Sequence, residues 1–339
     1  MIITYKGQSI NTEHYTPITD EEFIKLKNDY FAKPTLDSVK DQMYQISRGG
    51  LLNNKLTAYY FKDLMMKVKL YSCKWSVEEV FECKDLVSFF ISKTEGNKII
   101  FTDDMTMSEK LNRVIQIGGK GCALPPTQFP YKTIDMVLKH YNINGNYYDF
   151  SCGWGVRLTG ALRHQMNYFG TDPNYLLTER LNQLATDYKS IVRNKSNIDI
   201  RTQGSQYFVP EWENKIGLAF SSPPYFYLED YRIGDQSYKK GTSYESWKFN
   251  YLKPTFENIY KYLIDDGYFL LNINNFDKFM LVEDSVNIAN NIGFHLVGEH
   301  TLENIKRCKS NGDFTTNNER ILVFSKNKEK TIREESKLF

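Results

Sequence analysis

From residue 147 to residue 326 the chain repeats one rhythm. Short apolar runs alternate with longer stretches whose apolar residues recur at helical spacing. "YYDFSC" is followed by "GVRLTGALRHQM", "YFGTDP" by "YLLTERLNQLATDYKSIV", and "IDIRTQ" and "KIGLAFSS" by "YESWKFNYLKPTFENIYKYLI". "YFLLNIN" is then followed by "VEDSVNIANNIG". Strands that alternate with helices are joined by crossovers, and crossovers build a parallel, doubly wound sheet. The last two runs, "FHLVGEHTLE" and "ERILVFSK", have no helix between them and read as an antiparallel hairpin, which makes the sheet mixed. In such α/β sheets ligands bind outside the carboxyl ends of the strands, near the switch in strand order. The residues just after each strand are therefore the ones to inspect.

The first strand runs into "DFSCGWG", residues 149–155. Gly153 and Gly155 let the backbone turn tightly and approach a ligand closely. Asp149 and Ser151 add polar groups, and Asp149 is positioned to meet an ammonium group directly or through water. The glycines are spaced GxGxxxxG (Gly153, Gly155, Gly160) instead of the GxGxxG of dinucleotide-binding proteins, which disfavours a nicotinamide oxidoreductase. A plain turn between strand and helix is the bland alternative. The second strand ends at Asp172-Pro173; a carboxylate there can accept from both hydroxyls of a ribose, or can cap the next helix. After the third strand, Gln203, Gly204 and Ser205 are candidates for reading an adenine amino group. The fourth strand ends at Ser222-Pro223-Pro224-Tyr225, followed by Phe226 and Tyr227. Two prolines stop strand pairing and fix the backbone.

This pair of motifs, "DFSCGWG" and then "SPPY", resembles the S-adenosylmethionine-dependent amino-methyltransferases of DNA, whose catalytic loop reads (Asp/Asn/Ser)-Pro-Pro-(Tyr/Phe). The resemblance covers roughly residues 122–326, with the cofactor motif ahead of the catalytic one. It implies a Rossmann-like class I methyltransferase fold and S-adenosyl-L-methionine as cofactor. "PPTQFPYKTIDMVLKHY" (125–141) is similar to the family's helix before the first strand, which lines the methionine end of the cofactor and makes Phe129 and Pro130 contacts. By the same resemblance Ser222 and the Pro223 carbonyl accept hydrogen bonds from the exocyclic amine of a base flipped out of DNA. Pro224 stiffens the loop, and Tyr225 stacks on the base with Phe226 or Tyr227 in support. Ser at the first position leans toward cytosine N4. Adenine N6 is the alternative, followed by RNA or protein-glutamine methyltransferases and by a nucleic-acid-binding module without catalysis. No Pro-Cys pair occurs, which argues against methylation of the cytosine ring carbon through a covalent intermediate.

Target recognition is less clearly written. "EDYRIGDQSYKKGTSYESW" (229–247) is polar, carries Lys239 and Lys240, and reads as a loop closing on DNA or as a solvated connection. "IKRCKSNGDFTTNNER" (305–320) is a second basic, turn-rich loop. Residues 1–115 read as a mostly helical N-terminal region, DNA-contacting or accessory, in which Lys62, Lys67, Lys69 and Lys74 are candidate phosphate contacts. Its one strand-like run is "NKIIFTD". Residues 116–327 form the methyltransferase domain and 328–339 a charged tail.

Composition sets the remaining bounds. Aromatics reach 15%, with 24 Tyr and 22 Phe, more rings than a core needs. A net charge of +2 neither demands nor excludes a polyanion, since a local patch suffices. The five cysteines are scattered without a CxxC pair, so neither a disulfide framework nor a metal cluster is expected, and a reducing cytoplasm is. The first residues lack a signal-peptide pattern, and no run is long enough for a membrane span. A restriction or phage-defence partner would suit the family; the sequence names none and gives no oligomeric state.

Overall fold

The computed structural model describes residues 1–12, 15–96, 104–118, 122–232, 234–239, 241–308 and 314–330. Its centre is a seven-stranded sheet of strands β1 (Asn146–Asp149), β2 (Asn167–Asp172), β3 (Ile198–Thr202), β4 (Ile216–Ser221), β5 (Leu263–Ile273), β6 (His295–Cys308) and β7 (Phe314–Ser325). The order across the sheet is β6-β7-β5-β4-β1-β2-β3. β1 to β5 pair in parallel, and β7 is antiparallel to both β5 and β6. The chain therefore winds outward from β1 to β3, returns to β4 and winds the other way. The switch lies between β1 and β4, and the expected mixed α/β sheet with its C-terminal hairpin is what forms.

The two-residue period of the strands divides the core into two layers. Tyr147, Tyr168, Leu218, Phe220, Leu270, Ile321 and Val323 face one side. There they meet helices Tyr131–Tyr141, Val156–Arg163 and Tyr175–Val192. Their neighbours Tyr148, Ala219, Phe269, Leu271, Leu322 and Phe324 face the other side, against Lys253–Tyr262 and Leu281–Ile292. Both faces are covered, which is why the strands read as continuous apolar runs.

The N-terminal region is helical over Asp20–Phe31, Leu36–Ser47 and Asn54–Met65, each started by a side-chain cap from Thr19, Thr35 or Asn53. It does not stand apart. Met43, Leu56, Phe61 and Leu64 belong to the same core as Leu181 and Leu184 of helix Tyr175–Val192. Three local features depart from the sequence reading. Ile2–Tyr5 and Gln8–Asn11 form a hairpin, turned at Lys6-Gly7 with φ of +47° and +72°. "SVEEVFECKDLVSFFISK" is two helices, Val77–Val80 and Lys84–Gly96, because the buried Phe81 turns in to pack on Tyr30 and Phe31. The helix carrying Pro254 has a π turn at Lys248–Leu252. A proline ring clashes with the carbonyl four residues back, and the wider turn relieves the clash. The run "NKIIFTD" (97–103) lies outside the described residues.

Candidate active site

The loops after β1, β2, β3 and β4 line one cavity of about 550 Å³, a size suited to a small-molecule ligand. Gly153, Asp172, Pro173, Gly204, Ser205 and the whole Ser222–Tyr225 loop are in its wall. Phe129 and Pro130, from the segment ahead of helix Tyr131–Tyr141, close one side, and Ser151 adds to the floor. The strand-end rule thus gathers residues from positions 129 to 225 into one place.

Gly153 and Gly155 have φ of +56° and +76°, which L side chains rarely adopt. Gly155 is further constrained by the N-terminal region: a Cβ there would stand 3.0 Å from the Phe61 ring and 3.3 Å from Leu184. It shapes the loop without lining the cavity. Trp154 between them packs toward Phe61 (6.4 Å) and Tyr231 (6.0 Å) and lines the wall. Cys152 is a buried packing residue whose thiol burial pushes well up.

Asp149 departs from the expectation of direct ligand contact. It is completely buried. Its carboxylate accepts from Arg157 Nε (2.8 Å), Tyr168 OH (2.9 Å), Ser221 Oγ (2.8 Å) and the Ser151 backbone N–H (3.3 Å). Four donors saturate a carboxylate, so Asp149 holds the site from behind. Arg157 offsets that charge and brings its own guanidinium to the wall: it also donates to the Ser151 carbonyl, lies 5.9 Å from the Phe129 ring centre and lines the cavity.

Asp172 does face the cavity. Burial pushes its carboxyl up to about 7, against the lowering effect of the backbone N–H groups of Asn174 (3.0 Å) and Gly153. Asn174, not Asp172, caps the following helix through Leu177 N (3.3 Å). The capping alternative for Asp172 is therefore filled by its neighbour, leaving its carboxylate edge to the cavity. Ser205 Oγ lies 2.9 Å from Thr255 Oγ1.

In the Ser222–Tyr225 loop Pro223 is buried, and Ser222, Pro224 and Tyr225 are half-buried at the cavity wall. Phe226 is in the cavity wall and also anchors the loop. It is only 4% exposed and sits between Tyr238 (5.1 Å), Phe279 (5.2 Å) and Trp247 (5.7 Å). Its φ of +55° is strained for a side-chain-bearing residue and is held by that packing. Tyr227 points away from the cavity, donating to Asp277 (2.9 Å) and packing on Tyr71 (4.7 Å). Lys239 is exposed and pairs with Asp235 at 3.2 Å, outside the wall; Lys240 lies outside the described residues.

The segment after the loop is stitched to the N-terminal region. Glu229–Asp230 pairs antiparallel with Lys69–Leu70, Tyr71 N donates to Leu228 O (2.9 Å), and Arg232 meets Glu79 (2.8 Å). Within this brace Glu229 accepts from the Tyr231 hydroxyl, and both line the cavity. Burial raises the Glu229 carboxyl above its ordinary value. Lys62 and Lys74, candidate phosphate contacts by sequence, donate to backbone carbonyls of Tyr30 and Ser9. The side chains of 305–319 are outside the described residues.

Tyr251 and Asn272 are, with Arg157, among the wall residues that escaped the sequence reading. Tyr251 sits in the π turn, buried, with its hydroxyl 3.5 Å from Ser151 Oγ. Nothing in a helical pattern marks it except the nearby Pro254. Asn272, near the carboxyl end of β5, donates from Nδ2 to Ser222 Oγ at 3.4 Å. The rule that found the other strand ends applies to it equally.

No curated protein sequence matches the chain. Among solved structures, the chain is similar to a TehB-like SAM-dependent methyltransferase from Corynebacterium glutamicum (14% identity, TM-score 0.38, 58% of this chain and 88% of that one). It is also similar to magnesium protoporphyrin IX methyltransferase from Synechocystis PCC 6803 with bound SAM (12%, 0.38, 57% and 78%). A third is geranyl diphosphate C-methyltransferase from Streptomyces coelicolor A3(2) (10%, 0.39, 57% and 78%). Residues 216–338, which begin at β4 and carry the Ser222–Tyr225 loop, match the N6_N4_Mtase family model, described as DNA methylase, in agreement with the amino-methyltransferase family that the motifs resemble.

Proposed function

We propose that the protein transfers a methyl group from S-adenosyl-L-methionine to the exocyclic amine of a base flipped out of DNA, with cytosine N4 favoured over adenine N6. One observation carries the reading: the glycine loop of Gly153, the carboxylate of Asp172 and the Ser222–Tyr225 loop line a single cavity of about 550 Å³. The residues present fit the cofactor. Asp172 offers a carboxylate edge for two ribose hydroxyls, Pro173, Gly204 and Ser205 border the base end, and Phe129, Pro130 and the Arg157 guanidinium border the amino-acid end. When bound, the cofactor supplies an electrophilic methyl group on a sulfonium.

The chain's own groups do the rest. An exocyclic amine conjugated to its ring is a poor nucleophile, so its alignment matters. The Pro223 carbonyl and Ser222 hydroxyl oxygen accept from the amine, and these bonds strengthen as positive charge grows on nitrogen. Tyr225 supplies the ring on which the flipped base stacks. Phe226, wedged among aromatics, keeps the loop from yielding. The N-terminal region braces the following segment and, in this reading, extends the DNA-facing surface. The family match at residues 216–338 supports DNA as the substrate, and Ser222 favours cytosine.

The test is sequencing of DNA from cells expressing the protein, by a method that reports modified bases. N4-methylcytosine at a defined sequence is expected. N6-methyladenine would select the second reading, and unmodified DNA with methyl transfer to RNA or protein would replace the substrate.

A further inference from the structure

The last six residues of β5, "YFLLNI", are aliphatic or aromatic except for Asn272. The register pairs Leu271 with Ser221 on β4. The next residue on each chain, Asn272 and Ser222, therefore projects on the same side, and the two side chains meet at 3.4 Å. Asn272 is 3% exposed and lines the cavity with the catalytic loop. A carboxamide has a donor edge and an acceptor edge. The donor edge is on Ser222 Oγ, and the acceptor Oδ1 has no protein partner among the described residues. Burying an unmet acceptor at the heart of a sheet is costly, and native structures rarely keep one without use.

We propose that Asn272 is a further substrate-contacting residue, whose Oδ1 accepts a hydrogen bond from the exocyclic amine of the target base beside Ser222 and the Pro223 carbonyl. This rests on the amino-methyltransferase reading and deepens it. The amine has two N–H groups; the Pro223 carbonyl takes one, and the Ser222–Asn272 pair takes the other. A base that presents an oxygen at this position would bring acceptor against acceptor. Asn272 therefore selects an amino base over thymine or uracil.

The test measures the contact itself. Binding is compared between a DNA duplex carrying the target base located by sequencing and the same duplex with hydrogen replacing that base's amine (2-pyrimidinone for cytosine, purine for adenine), with S-adenosylhomocysteine present. Wild-type protein should lose about tenfold in affinity on losing the amine. Asn272→Leu should bind the normal duplex about tenfold more weakly and lose clearly less than wild type on removal of the amine, since only the Ser222 and Pro223 acceptors remain, with S-adenosylhomocysteine affinity unchanged. Asn272→Asp, which keeps an acceptor, should retain amine sensitivity. Should the leucine variant fail to fold, Asn272→Ala carries the same comparison. Equal amine sensitivity in wild type and the apolar variant overturns the proposal. Methyl transfer by a wild type whose binding ignores the amine also overturns it, while leaving the functional reading standing. Failure of the wild type to methylate any DNA removes that reading first.

Discussion

The hydroxyl of Ser221 donates to the carboxylate of Asp149 at 2.8 Å, and both residues are fully buried. They are the last residues of two adjacent parallel strands, at the point where the strand order reverses. The bond ties the end of the strand before the glycine loop to the end of the strand before the Ser222–Tyr225 loop. The Ser221 hydroxyl also lies 3.3 Å from the Ser151 carbonyl, so the tie reaches into the glycine loop itself.

Ser221→Ala should therefore act on both loops. Loss of a hydrogen bond to a buried carboxylate costs about 1.5–3 kcal/mol. Denaturant unfolding should show that loss, and cofactor affinity should fall with it. A change within about 0.5 kcal/mol, the range of ordinary surface substitutions, would mean that the other donors satisfy Asp149 without it.

Asp149 and Arg157 form a buried ion pair, and each needs the other. Asp149→Ala should abolish cofactor binding in calorimetry, through the unpaired guanidinium it leaves behind the loop. Removing one partner of such a pair costs about 3–5 kcal/mol. The pair Asp149→Asn with Arg157→Met should recover part of the stability lost in either single variant. Strict additivity of the two losses would contradict the coupling, and unchanged cofactor affinity in Asp149→Ala would remove Asp149 from the site altogether.

Tyr225→Ala separates the two halves of the cavity. Cofactor affinity should hold, because the proposed reading gives the ring to the base side. Base stacking is worth about 1–3 kcal/mol, so kcat/KM for methyl transfer should fall roughly 5- to 150-fold, and Tyr225→Phe should restore most of it. A near wild-type rate in the alanine variant would refute the stacking role.

Asp172 sets a pH dependence. Burial pushes its folded-state pKa up to about 7 from an ordinary 3.8. Between those values the folded protein holds a proton that the unfolded chain has released, so its contribution to stability is full below about pH 4 and is lost as pH rises through 7. Ribose hydroxyls bind the ionised form. Cofactor affinity should therefore rise between about pH 6 and 8 and binding should release a proton, seen as buffer-dependent heats in calorimetry. Asp172→Asn should weaken binding and flatten the pH profile; an unchanged profile would exclude Asp172 as the titrating group.

Much of this was written in local sequence. The alternation of short apolar runs with helical ones determined the doubly wound sheet, because the two-residue period and the crossover connections leave few other ways to cover both faces. The glycines, Asp172 and the Ser222–Tyr225 loop were legible because strand ends in such a sheet converge by geometry. What local sequence could not decide was how each side chain would be satisfied once buried. Asp149 read as a ligand contact, yet Arg157, Tyr168 and Ser221, brought in from a helix and two other strands, consume its lone pairs. Phe226 read as a second ring for the base, yet rings from residues 238 to 279 close around it. The helical N-terminal region read as separate, yet Phe61 lies against Gly155. Asn272 drew no notice until strand register set it beside Ser222. Backbone periodicity is a local property of the chain, whereas hydrogen-bond saturation and ring packing are settled among residues up to a hundred or more positions apart, and tertiary structure alone decides them.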